Sequence, residues 1–146
     1  MLIQIIGAFI AIVAFSIVIE TPKKFLIYCG LTGAVGWAVY LAVNAGFGPI
    51  WGNFVSALVI SLMSHLFARI LKTPVTIFLI SGILTLVPGA TMYRTGYELF
   101  MGNMEEAASY LALTAQIAGV IALAIFIMDS VFQTLKKLSI CSCEKT

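Results

Sequence analysis

Charge is what this sequence lacks most. Only 10% of its 146 residues are Asp, Glu, Lys or Arg, while 62% are hydrophobic. A soluble domain carries roughly a quarter charged residues, so a water-dispersed globule is excluded. The bilayer core is the solvent that accepts apolar surface and penalises charge. The eight Lys and Arg and six Asp and Glu leave a net charge of +2. No basic patch is interleaved with aromatic residues, so nucleic acid is not an expected partner.

Histidine is scarcer still: His65 is the only one. One histidine cannot supply the pair of the zinc-protease motif H-E-x-x-H. A serine nucleophile would need a Gly-x-Ser-x-Gly-like turn and a histidine base, and no such turn occurs. Glu105-Glu106 is followed by no Arg or His that would complete a di-glutamate metal site. No catalytic set assembles, so the expectation is a non-enzyme without cofactor or metal. Of the three cysteines, Cys29 falls inside an apolar run and reads as a small packing residue. Cys141 and Cys143 form a C-S-C tail, a weak signal for metal or disulfide chemistry. No Lys or Arg precedes the first apolar run and no small-x-small cleavage site follows it. That run is therefore expected to remain as a membrane span rather than serve as a secretory signal.

What is present is a succession of apolar runs. A membrane-spanning helix needs about 20 residues, and five such runs fill residues 1–135. They cover about Leu2–Ile19, Phe25–Ala45, Ile50–Leu71, Val75–Tyr97 and Ala107–Leu135, with residues 136–146 left as a short tail. The expected fold is an all-α polytopic membrane helix bundle of about five transmembrane helices. Lys23 and Lys24 follow span 1, Arg69 and Lys72 end span 3, and Lys136, Lys137 and Lys145 follow span 5. The loop after span 2 has no basic residue, and Arg94 after span 4 is offset by Glu98, Glu105 and Glu106. Positive residues favour the cytoplasm, which places the N-terminus outside, the tail inside and the protein in the cell membrane.

Small residues mark two helix faces: Gly30, Ala34, Ala38 and Ala42 in span 2, and Ala108, Ala112, Ala115, Gly119 and Ala122 in span 5. Small residues let helices approach closely in lipid, so packing within the bundle is the favoured reading of both rows. Docking of a partner protein is the alternative, and homo-oligomerisation remains open. Span 3 carries a polar row of Asn53, Ser61 and His65 around Ala57, with Ser56 and Ser64 beside it. Residues four apart share a helix face, and polar side chains in the hydrocarbon turn inward. Histidine as a residue type titrates near neutral pH, which makes His65 a proton candidate, or else a neutral partner in interhelical packing. Gln116 in span 5 is its candidate counterpart. Asp129 is costly if ionised so deep, or it caps the cytoplasmic end of its helix.

Span 4 contains Pro88-Gly89. Proline lacks an N–H and clashes with the preceding turn, so the span is expected to break there. Broken spans survive where protein or a water-filled cavity satisfies the freed backbone, and in transporters their ends bind charged groups. The start of the second half-helix favours a carboxylate. Thr85, Pro88, Gly89, Thr91, Tyr93 and Arg94 are the candidate substrate-pathway residues.

The segments Thr73-Pro74-Val75-Thr76-Ile77-Phe78 and Leu86-Val87-Pro88-Gly89-Ala90, with Tyr93 just beyond, resemble the threonine/serine exporter superfamily. In particular they resemble its short, separately encoded C-terminal-type half. The resemblance implies an export protein for small carboxylates, either serine and threonine or a dicarboxylate such as succinate. It also implies a larger membrane half as partner and a proton-motive force or membrane potential as energy source. A non-transporting assembly subunit is the alternative.

Overall fold

The computed structural model describes residues 2–143, with side chains over residues 2–135. Lys136, Lys137, Cys141, Cys143 and Lys145, on which the tail reading rests, lie outside the described side chains. Every regular element among the described residues is helical. In order they are α1 (Leu2–Val18), α2 (Leu26–Phe47), α3 (Pro49–Leu71), α4 (Val75–Ile83), α5 (Gly89–Met101) and α6 (Met104–Cys143). Short 3-10 turns at Lys23–Phe25 and Leu84–Leu86 introduce α2 and prolong α4.

Three stretches are long and apolar enough to cross a membrane: Lys23–Phe47, Pro49–Leu71 and Met104–Leu135. The pair Val75–Leu86 and Gly89–Met101 makes a fourth, bent by 48° at its break. The remaining apolar helix, α1, has 17 residues, about 26 Å at 1.5 Å per residue. A count of five therefore depends on α1 reaching across a core about 30 Å thick.

The turn between α2 and α3 is tighter than the Gly46–Pro49 loop the sequence suggested. α2 runs to Phe47, and Gly48 alone turns the chain at φ +84°, a backbone region that costs glycine nothing. Pro49 then occupies the first turn of α3, where its missing N–H has no helical partner to lose.

α2 and α3 form the centre. α2 packs against α1, α3 and α4, α3 packs against α4 and α6, and α5 lies along α6. One apolar cluster joins Ala57, Ile60, Leu86, Ile117, Ile121 and Ala124. A second joins Ile12, Cys29, Ala68 and Phe78, with Phe25 and Phe67 edge-on to the Phe78 ring at 5.9 and 6.0 Å. Cys29 is fully buried there, in agreement with a packing role.

The two small-residue rows behave differently. In α2, a Cβ on Gly30 would meet Phe9 and Val13 of α1, and one on Gly33 would meet Ile12. On its other side, Gly36 receives Ile60 of α3, which also presses on Gly82 of α4. Gly30 and Ala34 of the α2 row thus pack within the bundle, with Gly33 and Gly36 beside them, while Ala38 is half-buried and Ala42 exposed. In α6, by contrast, Ala108, Ala112, Ala115, Gly119 and Ala122 are all exposed. The expectation that this row packs internally fails because α6 turns the opposite face, with Ile117, Ile121 and Ala124, toward α3.

Candidate transport pathway

The polar face of α3 is the axis of the candidate site. Asn53, Ser56, Ser61, Ser64 and His65 are all buried, as the cost of polar groups in hydrocarbon requires. Asn53 Nδ2 donates to the Pro49 carbonyl at 2.7 Å and Ser64 Oγ donates to that of Ile60 at 2.8 Å. Ser56 Oγ donates across to the Gly36 carbonyl of α2. Ser61 Oγ and His65 Nε2 have no hydrogen-bond partner. A buried polar atom left in that state costs about 1–3 kcal/mol, so these two atoms mark a place that packing alone does not explain.

A cavity opens at each end of the row. The first, about 240 Å³, lies at the helix break and is lined by Trp37, Tyr40, Asn53, Thr85, Pro88, Gly89 and Thr91 among others. Trp37 and Tyr40 were not singled out in the sequence; their rings pair at 5.1 Å to form one wall. No side chain caps the start of α5; the Gly89 N–H donates to the Val87 carbonyl at 2.8 Å, so the N–H groups of Ala90 and Thr91 and the positive end of the dipole are those that meet this cavity. Thr85 Oγ1 donates to the Gly82 carbonyl at 2.8 Å and Thr91 Oγ1 to that of Pro88 at 3.0 Å. Each hydroxyl has thereby used its hydrogen and keeps an acceptor lone pair. The cavity therefore offers backbone donors on one side and hydroxyl and amide acceptors on the other.

Tyr93 and Arg94 do not share it. Thr91 and the buried Thr95 lie four apart on the inward face of α5, whereas Tyr93 and Tyr97 lie four apart on the outward face. Tyr93 is 73% exposed and stacks on Tyr97 at 6.5 Å. The Arg94 guanidinium sits 5.7 Å from the Tyr110 ring of α6. The expected grouping of these two with Thr85 and Thr91 is thus corrected by the phase of the second half-helix.

The second cavity system surrounds His65, between α3, α4 and α6. One chamber of about 460 Å³ is lined by Ser61, His65, Thr76 and Asp129 with apolar neighbours. A second, of about 280 Å³, adds Arg69, Thr73 and Gln133. His65 Nε2 stands 3.6 Å from Asp129 Oδ1, and Asp129 Oδ2 accepts from Gln133 Nε2 at 2.6 Å. Asp129, not Gln116, is therefore the counterpart of His65. Gln116 is exposed on α6, and the 13 residues between it and Asp129 correspond to about 20 Å of helix.

Asn53 and His65 are 12 residues apart, about 18 Å along α3. Between them Ala57 and Ile60 join the apolar cluster with Leu86, Ile117, Ile121 and Ala124. Leu86 and Ile117 also line the break cavity, and Ile125, packed against the cluster, also lines the His65 chamber. The result is two polar chambers separated by a dry plug, within a helix pair broken at the first chamber.

The family model described as "Threonine/Serine exporter, ThrE" matches residues 4–131. The chain belongs to that family. A curated threonine/serine exporter of Corynebacterium glutamicum is 27% identical over 123 residues, which make up 81% of this chain and 25% of that relative. The chain thus spans about a quarter of the length of the curated relative it matches. No solved structure matches it. Membership in that family, together with the apolar helices, fits a multi-pass membrane protein, and the family's printed description is that of an exporter rather than an enzyme. The break cavity, the broken pair, His65 and Asp129 fall within the matched residues.

Proposed function

We propose that this chain forms part of an exporter of serine and threonine and acts with a larger membrane part of the same exporter. The uncapped start of α5, opening into a cavity beside Asn53, carries the reading. An amino-acid zwitterion needs donors for its carboxylate and acceptors for its ammonium and hydroxyl groups. The α5 N–H groups supply the first. Asn53 Oδ1 and the Thr85 and Thr91 oxygens supply the second. A dicarboxylate such as succinate fits less well, because the nearby cation, Arg94, extends over Tyr110 outside the cavity. The length of the matched relative and the exposed small-residue face of α6 support a larger part.

The positive ends of α1 and α3 orient the bundle by their Lys and Arg residues. On this reading the His65 chambers face the cytoplasm, the break cavity lies in the outer half of the membrane, and residues 136–146 form a cytoplasmic tail.

The test is efflux of labelled serine, threonine and succinate from cells with this chain alone, its larger candidate partner alone, or both. Efflux of serine and threonine only with both supports the reading. Equal efflux in all three, with both proteins detected in the membrane, assigns the chain to a non-transporting assembly role.

A further inference from the structure

The break cavity accounts for the substrate without using the chambers at the other end of α3. Those chambers hold three buried polar atoms without a hydrogen-bond partner: Thr73 Oγ1, Ser61 Oγ and His65 Nε2, the last two in residues 1% and 6% exposed. The imidazole is held against the Phe132 ring, with centroids 4.3 Å apart. Its vacant Nε2 faces Asp129 Oδ1 at 3.6 Å, a distance that suits ionic attraction but exceeds a hydrogen bond. The Asp129 side chain is 52% exposed whereas Nε2 is buried, so the carboxylate is the open side of the pair. Among the described residues, the charged groups facing His65 are Asp129 from α6 and Arg69 from one turn along α3. Arg69 is held over the Phe132 ring at 5.5 Å. From α4 come Val75, Thr76 and Leu79, none ionisable.

We propose that His65 and Asp129 form the proton-exchange site of the exporter, open in this conformation to the chamber at the C-terminal end of α3 and closed toward the break cavity by the Ile60 plug. This assignment rests on the exporter reading for the role of the proton, though not for its binding. A proton from chamber water adds to the exposed Asp129 carboxylate and passes from it to the Nε2 lone pair, leaving Asp129 ionised beside the new N–H. Release returns the same proton to water, so one proton enters and leaves per cycle and nothing is oxidised or reduced. A carboxylate beside a histidine stabilises the imidazolium, and the dry plug stops the proton from crossing unless the helices move.

Two measurements separate the proton site from the substrate. The chain has one histidine, so its ring resonances in lipid nanodiscs are unambiguous. They are expected to move with pH, and D129N is expected to change that dependence. Resonances indifferent to pH, or identical in wild type and D129N, overturn the site. In cells that export serine or threonine, H65Q is expected to abolish the response of efflux to an imposed pH gradient while labelled-for-unlabelled exchange persists. D129N carries the same test if H65Q fails to accumulate in the membrane. A retained gradient response overturns the proposal, and so does loss of exchange together with it, which would put His65 on the substrate's path. If the wild type exports neither amino acid, the exporter reading fails and the nanodisc titration alone decides the proton site.

Discussion

Ile60 is the residue on which the central packing turns, and Gly36→Ala perturbs it directly. Ile60 is fully buried between α2 and α4. A Cβ on Gly36 would lie 2.6 Å from Ile60 Cγ1 and closer still to its Cδ1. Real side chains do not approach so closely, and Ile60 cannot retreat, since a Cβ on Gly82 would lie 2.6 Å from its Cγ2 on the opposite side. Overpacking of this kind costs about 1–3 kcal/mol. Alanine regains roughly 0.8–1.0 kcal/mol of helix propensity over glycine, which offsets part of it. The net is about 1 kcal/mol of destabilisation, or a fall in melting temperature of roughly 2–4 °C for a chain of this size. Thermal unfolding of the purified protein in lipid or detergent reads this directly. Gly119→Ala is the control, because nothing stands within 4 Å of the added Cβ, and it should melt no lower than wild type. Ile60→Val removes the Cδ1 that a Gly36 Cβ meets first, so the two changes together should cost less than their sum by about 0.5 kcal/mol or more. A Gly36→Ala protein as stable as Gly119→Ala, or strict additivity with Ile60→Val, would refute the wedge.

Other consequences follow from the same geometry. Pro88→Ala restores a peptide N–H and removes the ring that forces the 48° bend; efflux should be lost while membrane abundance stays normal. Asn53→Leu should raise the serine KM well above that of Arg94→Gln, because Asn53 lines the break cavity and Arg94 lies over Tyr110; equal effects would put Arg94 back in the site. Ser16→Ala removes a buried hydrogen bond to Ser81 at 3.1 Å. Ser81 still donates to the Ile77 carbonyl, so the melting experiment should show a loss of only about 0.6 kcal/mol.

Composition and periodicity made the helices, the inward polar row and the broken fourth span legible, because each follows from residues adjacent in sequence. Asn53, Ser61 and His65 share a face by helical geometry alone, and Pro88 breaks its helix without help from any distant residue. Contacts between helices were not legible. Nothing in the order of residues says that α6 turns Asp129 rather than Gln116 toward α3, since that depends on the rotation of a whole helix about its axis. The same holds for the small-residue row of α6, whose spacing is that of a packing face but which looks outward. Tyr93 and Arg94 were misplaced for a related reason: helix α5 starts at Gly89, and that start fixes the phase of every residue after it. Asp129 carried one usable signal, an ionisable group within an apolar helix, which calls for a partner across the bundle.

In the proposed exporter, the cavity at the α4–α5 break holds the substrate by its carboxylate. Thr91→Cys, in a protein whose three native cysteines are replaced, places a thiol at that cavity. Its labelling by a water-soluble maleimide should proceed and should slow when threonine is added. Threoninol, which has the same hydroxyl and amine but no carboxylate, should leave the rate unchanged. Labelling that threonine does not slow, or that threoninol slows equally, would rule out carboxylate binding at this cavity.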